Sequence, residues 1–392
     1  MSDKPAVLGA EPIFEDMLAF VRPTLPPLEG DLLQAFQETF ETGMLTKGKY
    51  LRQFEQRMAD YLGVKHAVGV SSCTLGLLLT YQGLGLKEEV IVPSFTFMAT
   101  VHPLTYLDLT PVFADIDPET WNIDPEHVES LITERTTGIV AVHNFGNPAP
   151  VAELQEIADR HKLKLVFDAA HGYGSNYRGR PVGRYGDAEV FSSSPTKLLV
   201  TAEGGLVATN NDDLAEHVIK GREYGNPGDY SSDFAGLNAR LPEFNALMGI
   251  KSLEMLDDNA DNRNRLVGAF KEGLDELPGI TLQKVHPEDR CSYKDFSITI
   301  EAESFGLTRD QVARALKTEN IDTRHYHDPA VHTHKPYANL PKPNLPVTER
   351  VAAQSLSLPI WSHMTLETVE RICDAMARLH DHAEDVREAL EK

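Results

Sequence analysis

A carboxylate and a lysine follow two apolar runs in residues 163–197, where their side chains could act together. Asp168 comes directly after the apolar run 163–167, and Lys197 follows the run 188–191 after a polar turn, SSSPT. Open α/β sheets bind their ligands at the carboxyl ends of such strands. A lysine amine can form a Schiff base with a cofactor aldehyde, and a carboxylate can keep a pyridine nitrogen protonated. The pattern therefore fits a site for pyridoxal phosphate (PLP), with the turn serines as donors to its phosphate.

The same two residues also have an ordinary structural interpretation. An aspartate after a strand is often a helix N-cap, and lysines are mostly solvated. The pattern alone leaves both interpretations open.

Several motifs in this part of the chain resemble the active-site core of the DegT/StrS family of PLP-dependent sugar aminotransferases. The matching pieces, in the family's order and spacing, are DAAH at 168–171, GRYGDAEVF at 183–191, TK at 196–197 and EGG at 203–205. The resemblance covers about residues 22 to 382. It implies a fold-type I α/β protein with a mostly parallel central sheet, crossover helices and a small C-terminal α+β domain.

The resemblance also implies roles for individual residues. Lys197 would carry the cofactor and act with Asp168 as the catalytic pair. Phe97 would stack on the pyridine ring, and His171 would lie on its hydroxyl side. The cofactor-binding residues that it implies are Cys73, Thr74, Phe97, Asp168, His171, Ser192, Lys197 and Asn238, and Tyr326 and His327 would lie on the substrate side.

The turn after the predicted strand 66–70 is a candidate anion site in its own right. Its sequence, SSCT at 71–74, leads into a predicted helix. Free N–H groups and the helix dipole attract phosphate there, although an ordinary N-cap by Ser72 or Thr74 explains the same pattern. In the family this turn receives the PLP phosphate, with a glycine where this chain has Cys73. We expect strain at Cys73 if that position needs a positive φ, and none if only its N–H is used.

The segment GLNARLPE at 236–243 resembles a family signature that bears on assembly. There the asparagine reaches the cofactor phosphate of a neighbouring subunit. If Asn238 does so here, each active site needs two chains, and the protein is a homodimer with shared sites. A turn-forming asparagine is the alternative interpretation.

By resemblance, the reaction moves an amino group from L-glutamate to a 3- or 4-keto-6-deoxy sugar on a nucleotide diphosphate. Two alternatives stay open, namely a cyclitol ketone as acceptor and a PLP-binding sensor protein without turnover. A further branch of the family removes a sugar hydroxyl, but it has a histidine in place of the lysine, so Lys197 argues against it.

Two other patterns could hold ligands. The segment GMLTKGKY at 43–50 is close to a P-loop, but it ends in tyrosine and follows a helix rather than a strand, so we predict no triphosphate site there. Four histidines stand close together at positions 325, 327, 332 and 334. No zinc-type spacing of cysteines or carboxylates accompanies them, so we predict a substrate-side loop rather than a metal site.

The chain of 392 residues is long enough for about two domains. Strands alternate with helices in its first part, which predicts a mostly parallel sheet. We expect an N-terminal arm at 1–30, a large PLP-binding α/β domain at 31–264 and a small α+β domain at 265–392. Two amphipathic helices, at 245–259 and 263–277, are predicted to carry the chain out of the large domain.

Composition limits the partners of the chain. Acidic residues outnumber basic ones 59 to 37, and the formal net charge is −22. Nucleic acids and anionic membranes attract clustered lysine and arginine, so neither is expected as a partner. Three widely spaced cysteines fit a reduced compartment, and the amino terminus lacks the apolar segment of a signal peptide. Since no apolar run approaches about 18 residues, we expect a cytoplasmic protein.

Overall fold

The computed structural model describes residues 4–391, and its strands form three sheets. In chain order the strands are β1 (His66–Val70), β2 (Glu89–Pro93), β3 (Thr110–Ala114), β4 (Thr136–Val142), β5 (Lys164–Asp168), β6 (Asn176–Tyr177), β7 (Arg180–Pro181), β8 (Ala188–Ser192), β9 (Gly205–Thr209), β10 (Ile280–Leu282), β11 (Phe296–Ile300) and β12 (Ser355–Leu358).

The α-helices of the same residues alternate with these strands in the first part of the chain and dominate its end. They are α1 (Gly30–Thr42), α2 (Lys49–Leu62), α3 (Cys73–Gly83), α4 (His102–Tyr106), α5 (Pro125–Ser130), α6 (Val151–His161), α7 (Asp212–Gly221), α8 (Glu243–Glu254), α9 (Leu256–Leu274), α10 (Ala302–Phe305), α11 (Arg309–Thr318), α12 (Pro346–Gln354), α13 (Leu366–Asp381) and α14 (Ala383–Glu391).

The largest sheet has the strand order β1-β9-β8-β5-β4-β2-β3 within the described chain. Strands β3, β2, β4, β5 and β8 run parallel, and β9 pairs antiparallel with both β8 and β1. The predicted mostly parallel sheet is therefore confirmed. Because β5 and β8 are parallel neighbours, their carboxyl ends lie side by side, and both lead into the candidate site.

Helices cover both faces of this sheet, as the near-continuous apolar strands require. Side chains alternate between the faces with the strand period of two. Ile139 and Leu165 pack in the core that holds residues of α2, α6 and α8. Val140 and Val166 point the other way, into the core that holds residues of α3 and α7.

Apart from the cores on the two faces of the large sheet, the antiparallel sheet β10-β11-β12 and the C-terminal helices have a core of their own, which we call the second core. Helix α9 joins the two parts of the molecule. Its Leu256 and Ala260 pack in the large-sheet core beside α2, α6 and α8, and its Leu266 and Phe270 pack in the second core. The boundary that we propose at 264/265 thus lies within one helix. The predicted helix break between 259 and 263 is wrong, because α8 ends at Glu254 and α9 already begins at Leu256.

The proposed N-terminal arm, described from Lys4 onward, packs against this second core. Ile13, Phe14 and Leu18 are buried in it. The Glu319 carboxylate accepts hydrogen bonds from the N–H groups of Ala6 at 2.6 Å and Ile13 at 2.8 Å. None of the helices within residues 4–391 combines the length and apolar character that a membrane span needs.

Candidate active site

A cavity of about 300 Å³ lies at the carboxyl ends of β5 and β8, next to the N-terminus of α3. Nine of the residues predicted for the site line it, and Asn238 does not. The lining consists of Ser72, Cys73, Thr74, Phe97, Ala99, Asp168, Ala170, His171, Ser192, Ser194, Thr196, Lys197, Glu203, Gly204, Lys294, Asp295, Tyr326 and His327.

Asp168 is the last residue of β5, and its carboxylate is buried at one side of the cavity. Its Oδ2 accepts a hydrogen bond from Thr100 Oγ1 at 2.7 Å, and its Oδ1 accepts one from the Ala170 N–H at 2.9 Å. Burial raises the pKa of the Asp168 carboxyl despite these two bonds. Because a protonated pyridine nitrogen would stabilise the ionised form, the carboxylate is suited to that partner.

Lys197 reaches the cavity from the turn after β8, and its own N–H donates to Ser194 O at 3.0 Å. Burial and the nearby Lys294 ammonium lower the pKa of Lys197, and the carboxylates of Asp295 and Asp168 oppose them, so that the pKa is about 8. An amine with this pKa has an appreciable neutral fraction at neutral pH. That neutral form is the nucleophile that an aldehyde requires.

The turn between β1 and α3 has the geometry of an anion site. Ser72 is the N-cap of α3, and its side chain accepts from Leu75 N at 3.3 Å. Cys73 is the first residue of the helix and is not among the residues with positive φ, so the expected strain is absent. The N–H groups of a first helical turn have no partner within the helix and attract anions, and Cys73 and Thr74 both line the cavity. The N-cap interpretation is confirmed for Ser72, whereas the anion site stays a prediction.

Strand β9 lies so close to this turn that only glycine fits at position 205. A Cβ there would lie 2.6 Å from Cys73 N and 2.8 Å from Phe191 O. Both are backbone atoms, which cannot move aside as the end of a flexible side chain can. The Glu203-Gly204-Gly205 motif therefore packs against the turn of the candidate anion site.

Phe97 and His171 both line the cavity. The Phe97 side chain is 51% exposed and lines the cavity, so it is not a core aromatic residue. His171 Nδ1 accepts a hydrogen bond from the Phe145 N–H at 3.1 Å. Burial, followed by the nearby Lys197 and Lys294 charges, holds the pKa of His171 well below its usual value, so the ring is neutral.

Asn238 lies outside the cavity of its own chain. Its side chain is exposed, and its Oδ1 accepts a hydrogen bond from Arg240 Nη2 at 2.9 Å. Asn238 therefore does not line the cavity of its own chain, and its role toward a second subunit stays a prediction.

The sequence analysis missed three polar residues of the site. Thr100 orients Asp168, and Lys294 and Asp295 form a buried ion pair in the cavity wall. The available signal was the pair of adjacent opposite charges directly before the apolar strand β11. A charged pair at such a position is either exposed to solvent or buried in a functional site, and sequence alone does not distinguish the two.

The four clustered histidines separate in the structure, and one of them lines the cavity. His327 does so, while His332 Nδ1 is 2.7 Å from Ser94 Oγ and His334 Nε2 is 3.1 Å from Pro329 O. His325 lies 3.7 Å from Asp310. Within residues 4–391, no group of three or more potential ligands is arranged to hold a metal ion.

The backbone N–H groups of the P-loop-like segment bind a carboxylate of the protein itself. Buried Glu243 accepts hydrogen bonds from the N–H groups of Gly48, Tyr50 and Leu51 at 2.9 to 3.0 Å. These are the groups at the start of α2 that would otherwise attract an anion, so a carboxylate of the protein already fills that position.

Comparison with known proteins agrees with this geometry. The model of the DegT/DnrJ/EryC1/StrS aminotransferase family matches residues 27–377. The chain belongs to this family. It is accordingly an aminotransferase of fold type I, and the aminotransferases of the family depend on PLP.

Individual relatives in this family are similar over almost their whole length. GDP-perosamine synthase from Caulobacter vibrioides is 34% identical over 357 residues, which cover 90% of this chain and 96% of that protein. The crystal structure of DesI in the presence of its TDP-sugar product has 36% identity and a TM-score of 0.93, with all of both chains covered. The erythromycin biosynthesis sensory transduction protein EryC1 from Saccharopolyspora erythraea is 35% identical over 350 residues, 88% of this chain and 94% of that protein.

Proposed function

We propose that this aminotransferase uses PLP to transfer the amino group of L-glutamate to a keto sugar attached to a nucleotide diphosphate. The observation that carries the proposal is one cavity with a lysine of lowered pKa, a buried carboxylate and a helix N-terminus. These three groups match the aldehyde, the ring nitrogen and the phosphate of PLP. When bound, PLP supplies an electron sink for the negative charge that develops on the carbon losing its proton.

The residues of the cavity have distinct tasks in this reaction. Asp168 holds the proton on the ring nitrogen, and Thr100 and the Ala170 N–H fix the direction of the carboxylate. Lys197 Nζ binds the cofactor covalently and, once a substrate amine displaces it, takes the Cα proton of the amino donor as a general base. Its pKa of about 8 suits this exchange between acid and base forms near neutral pH.

The remaining polar lining would orient the cofactor. Cys73 and Thr74 would offer the first-turn N–H groups of α3, and Ser192 lines the same cavity. Phe97 would cover one face of the ring. Tyr326 and His327, which also line the cavity, would face the substrate.

The relatives support a nucleotide sugar as the acceptor. GDP-perosamine synthase bears a nucleotide sugar in its name, and the DesI structure contains a TDP-sugar product. A 3- or 4-keto-6-deoxy sugar on a nucleotide is therefore the acceptor that we propose, with glutamate as the donor. In the donor half-reaction one water supplies the keto oxygen as glutamate becomes 2-oxoglutarate, and in the acceptor half-reaction the ketone oxygen leaves as water.

A sensor without turnover is the second candidate, because the similar EryC1 protein is named as a sensory transduction protein. A PLP-binding sensor could also attach the cofactor through Lys197, but it does not need the electron sink that a buried carboxylate at the ring nitrogen maintains. The buried Asp168 carboxylate thus favours turnover.

We also propose a homodimer with shared active sites. Asn238 is exposed outside its own cavity. Large apolar side chains in and after α1 are also exposed to solvent, Phe40 by 72% and Met44 by 55%. Large exposed apolar patches of this kind mark protein interfaces. The two features support a second copy of the chain as the partner.

The test starts with protein loaded with PLP. Glutamate should remove the visible absorbance of the lysine-linked cofactor and release an equal amount of 2-oxoglutarate. A panel of keto sugars, with and without a nucleotide diphosphate, should then restore the absorbance, with the nucleotide forms at least ten times more effective. Equal rates for the free ketones would favour a cyclitol-type acceptor, and an absorbance that no amino donor changes would support the sensor.

A further inference from the structure

The reaction proposed above places two unlike molecules in one cavity in turn. The amino donor carries at least one carboxylate, whereas the ring of the sugar acceptor is uncharged. The cavity therefore needs a cation that binds the donor carboxylate. This cation must also keep a partner when the sugar is bound, because an unpaired buried charge is costly.

The described lining offers few positive side chains for this purpose. Lys197 is committed to the cofactor. Burial lowers the pKa of His327 to about 3, and burial likewise holds the pKa of His171 well below its usual value, so both rings are neutral. Among the residues that line the cavity, Lys294 is the remaining lysine or arginine.

Lys294 is a fully buried ammonium that already has a partner. Its Nζ lies 2.8 and 2.9 Å from the two carboxylate oxygens of Asp295, and the two side chains are 5% and 2% exposed. An ammonium has three N–H donors, and the two oxygens of Asp295 leave one for a ligand. The Nζ also lies 5.5 Å from the centre of the ring of Tyr326, a residue that we propose to face the substrate.

The backbone around Lys294 is held in an unusual conformation. Tyr293, directly before it, has a φ of 46°, which is rare for a residue with a bulky side chain. Buried Arg263 donates from Nη1 to the carbonyl oxygens of Tyr293 and Lys294, each at 2.8 Å. The Lys294 N–H donates to Phe145 O at 2.9 Å. Strain that the surroundings stabilise is typical of functional positions.

We propose that Lys294 binds a carboxylate of the amino donor and that Asp295 neutralises Lys294 while the uncharged sugar occupies the same space. The inference rests on the proposed amino transfer. With donor bound, the free N–H of Lys294 makes a charge-assisted bond to the carboxylate. With sugar bound, the Lys294–Asp295 pair stays neutral, so one cavity accepts both molecules.

Glutarate, an unreactive dicarboxylate, is the probe that separates this role from the chemistry. Its dissociation constant is measured by calorimetry on the PLP-loaded protein. Because a lost charge-assisted bond is worth about one to two powers of ten in affinity, Lys294→Met in an Asp295→Asn background should bind glutarate about 10- to 100-fold more weakly. This double variant leaves no unpaired charge behind. Asp295→Asn alone keeps the cation and should bind glutarate at least as tightly as the unchanged protein.

The two half-reactions provide the second readout. In the double variant, the glutamate concentration needed for half-maximal cofactor amination should rise about 10- to 100-fold, with the limiting rate changed far less. The keto-sugar half-reaction, started from cofactor already aminated, should change by less than about three-fold in the same variant.

The outcomes are distinct for the two proposals. If the unchanged protein does not react with glutamate, the proposed reaction is wrong, while the glutarate comparison still decides the role of Lys294. Equal weakening of glutarate binding by Asp295→Asn and by the double variant would reduce the pair to a structural contact and overturn the inference. Unchanged glutarate binding in the double variant would overturn it as well.

Discussion

At the scale of single residues, the Lys197 amine is governed by opposing influences. Burial and the Lys294 ammonium favour its neutral form, whereas the carboxylates of Asp295 and Asp168 favour the charged form. The result is a pKa of about 8 instead of the ordinary 10.5. A lysine in this state reacts with an aldehyde at a pH where surface lysines remain protonated.

The rate of PLP incorporation into cofactor-free protein should therefore depend on pH. The neutral fraction of Lys197 rises as the pH rises through about 8, so the rate should increase up to that pH and level off above it. Absorbance stopped-flow measurements from pH 6 to 10 would show this. A rate that keeps rising to pH 10 would mean that Lys197 behaves like an exposed lysine.

Lys197→Ala should abolish turnover, because it removes both the covalent attachment and the proton transfer. General acid–base catalysis alone contributes at least about 100-fold, so the remaining rate should lie below one hundredth. Coupled detection of 2-oxoglutarate measures it. Lys87→Ala, at an exposed lysine, is the control and should leave the rate unchanged. An active Lys197→Ala protein would refute the assigned role.

Asp168→Asn should separate cofactor binding from chemistry. An asparagine oxygen can still accept one of the bonds from Thr100 and Ala170, so the side chain keeps part of its orientation. It has no charge to hold the ring proton. Equilibrium dialysis should show that PLP remains bound, and the transfer rate should fall by about 100-fold or more. A rate within a few-fold of the unchanged protein would contradict this role of Asp168.

The site residues that sequence reasoning found are those that stand in motifs. Asp168 and Lys197 could be predicted because strand ends and their following turns are local features. Thr100, Lys294 and Asp295 could not, because their importance comes from tertiary contacts. The Thr100–Asp168 bond, for example, spans 68 positions of the chain.

At the scale of elements, the strand β9 and the helix α3 meet at the candidate anion site through Gly205. The runs 66–70, 163–167 and 188–191 predicted β1, β5 and β8 to within one residue, because a buried strand must be largely apolar. The antiparallel direction of β9 was not predicted, since direction depends on the connection between strands and not on their composition. The packing of Ile13 and Phe14 on the second core likewise arises from contacts between distant parts of the chain.

Gly205→Ala should destabilise the protein and weaken PLP binding. The added methyl group meets backbone atoms at 2.6 to 2.8 Å, so β9 or the turn before α3 must shift. Overpacking of this kind costs about 1–3 kcal/mol of unfolding free energy. Urea unfolding measures the loss, and dialysis measures the PLP affinity.

Gly268→Ala is the matched control for this prediction. Gly268 lies within α9, and a Cβ there meets nothing within 4 Å. Alanine in a helix interior is favoured over glycine by roughly 0.5–1 kcal/mol, so this variant should be slightly more stable. Equal effects of the two substitutions would show that the close approach at Gly205 has no consequence.

At the scale of the whole molecule, the proposed homodimer would account for the exposed residues around Asn238 and α1. Phe40 packs at 4.9 Å between ring centres on Phe244, yet remains 72% exposed. An exposed apolar surface of this kind is typical of protein interfaces. Light scattering should report twice the mass of 43.5 kDa.

Mixing two inactive variants tests whether the sites are shared. In a shared-site dimer, Lys197 of one subunit works with Asn238 of the other. A dimer of one Lys197→Ala chain and one Asn238→Ala chain then has one site with both changes and one with neither. Random reassortment makes half of the dimers mixed, so about a quarter of the sites should become fully active. If Asn238 served its own chain, every site would keep a defect, and activity at limiting PLP would stay at the mean of the separate variants.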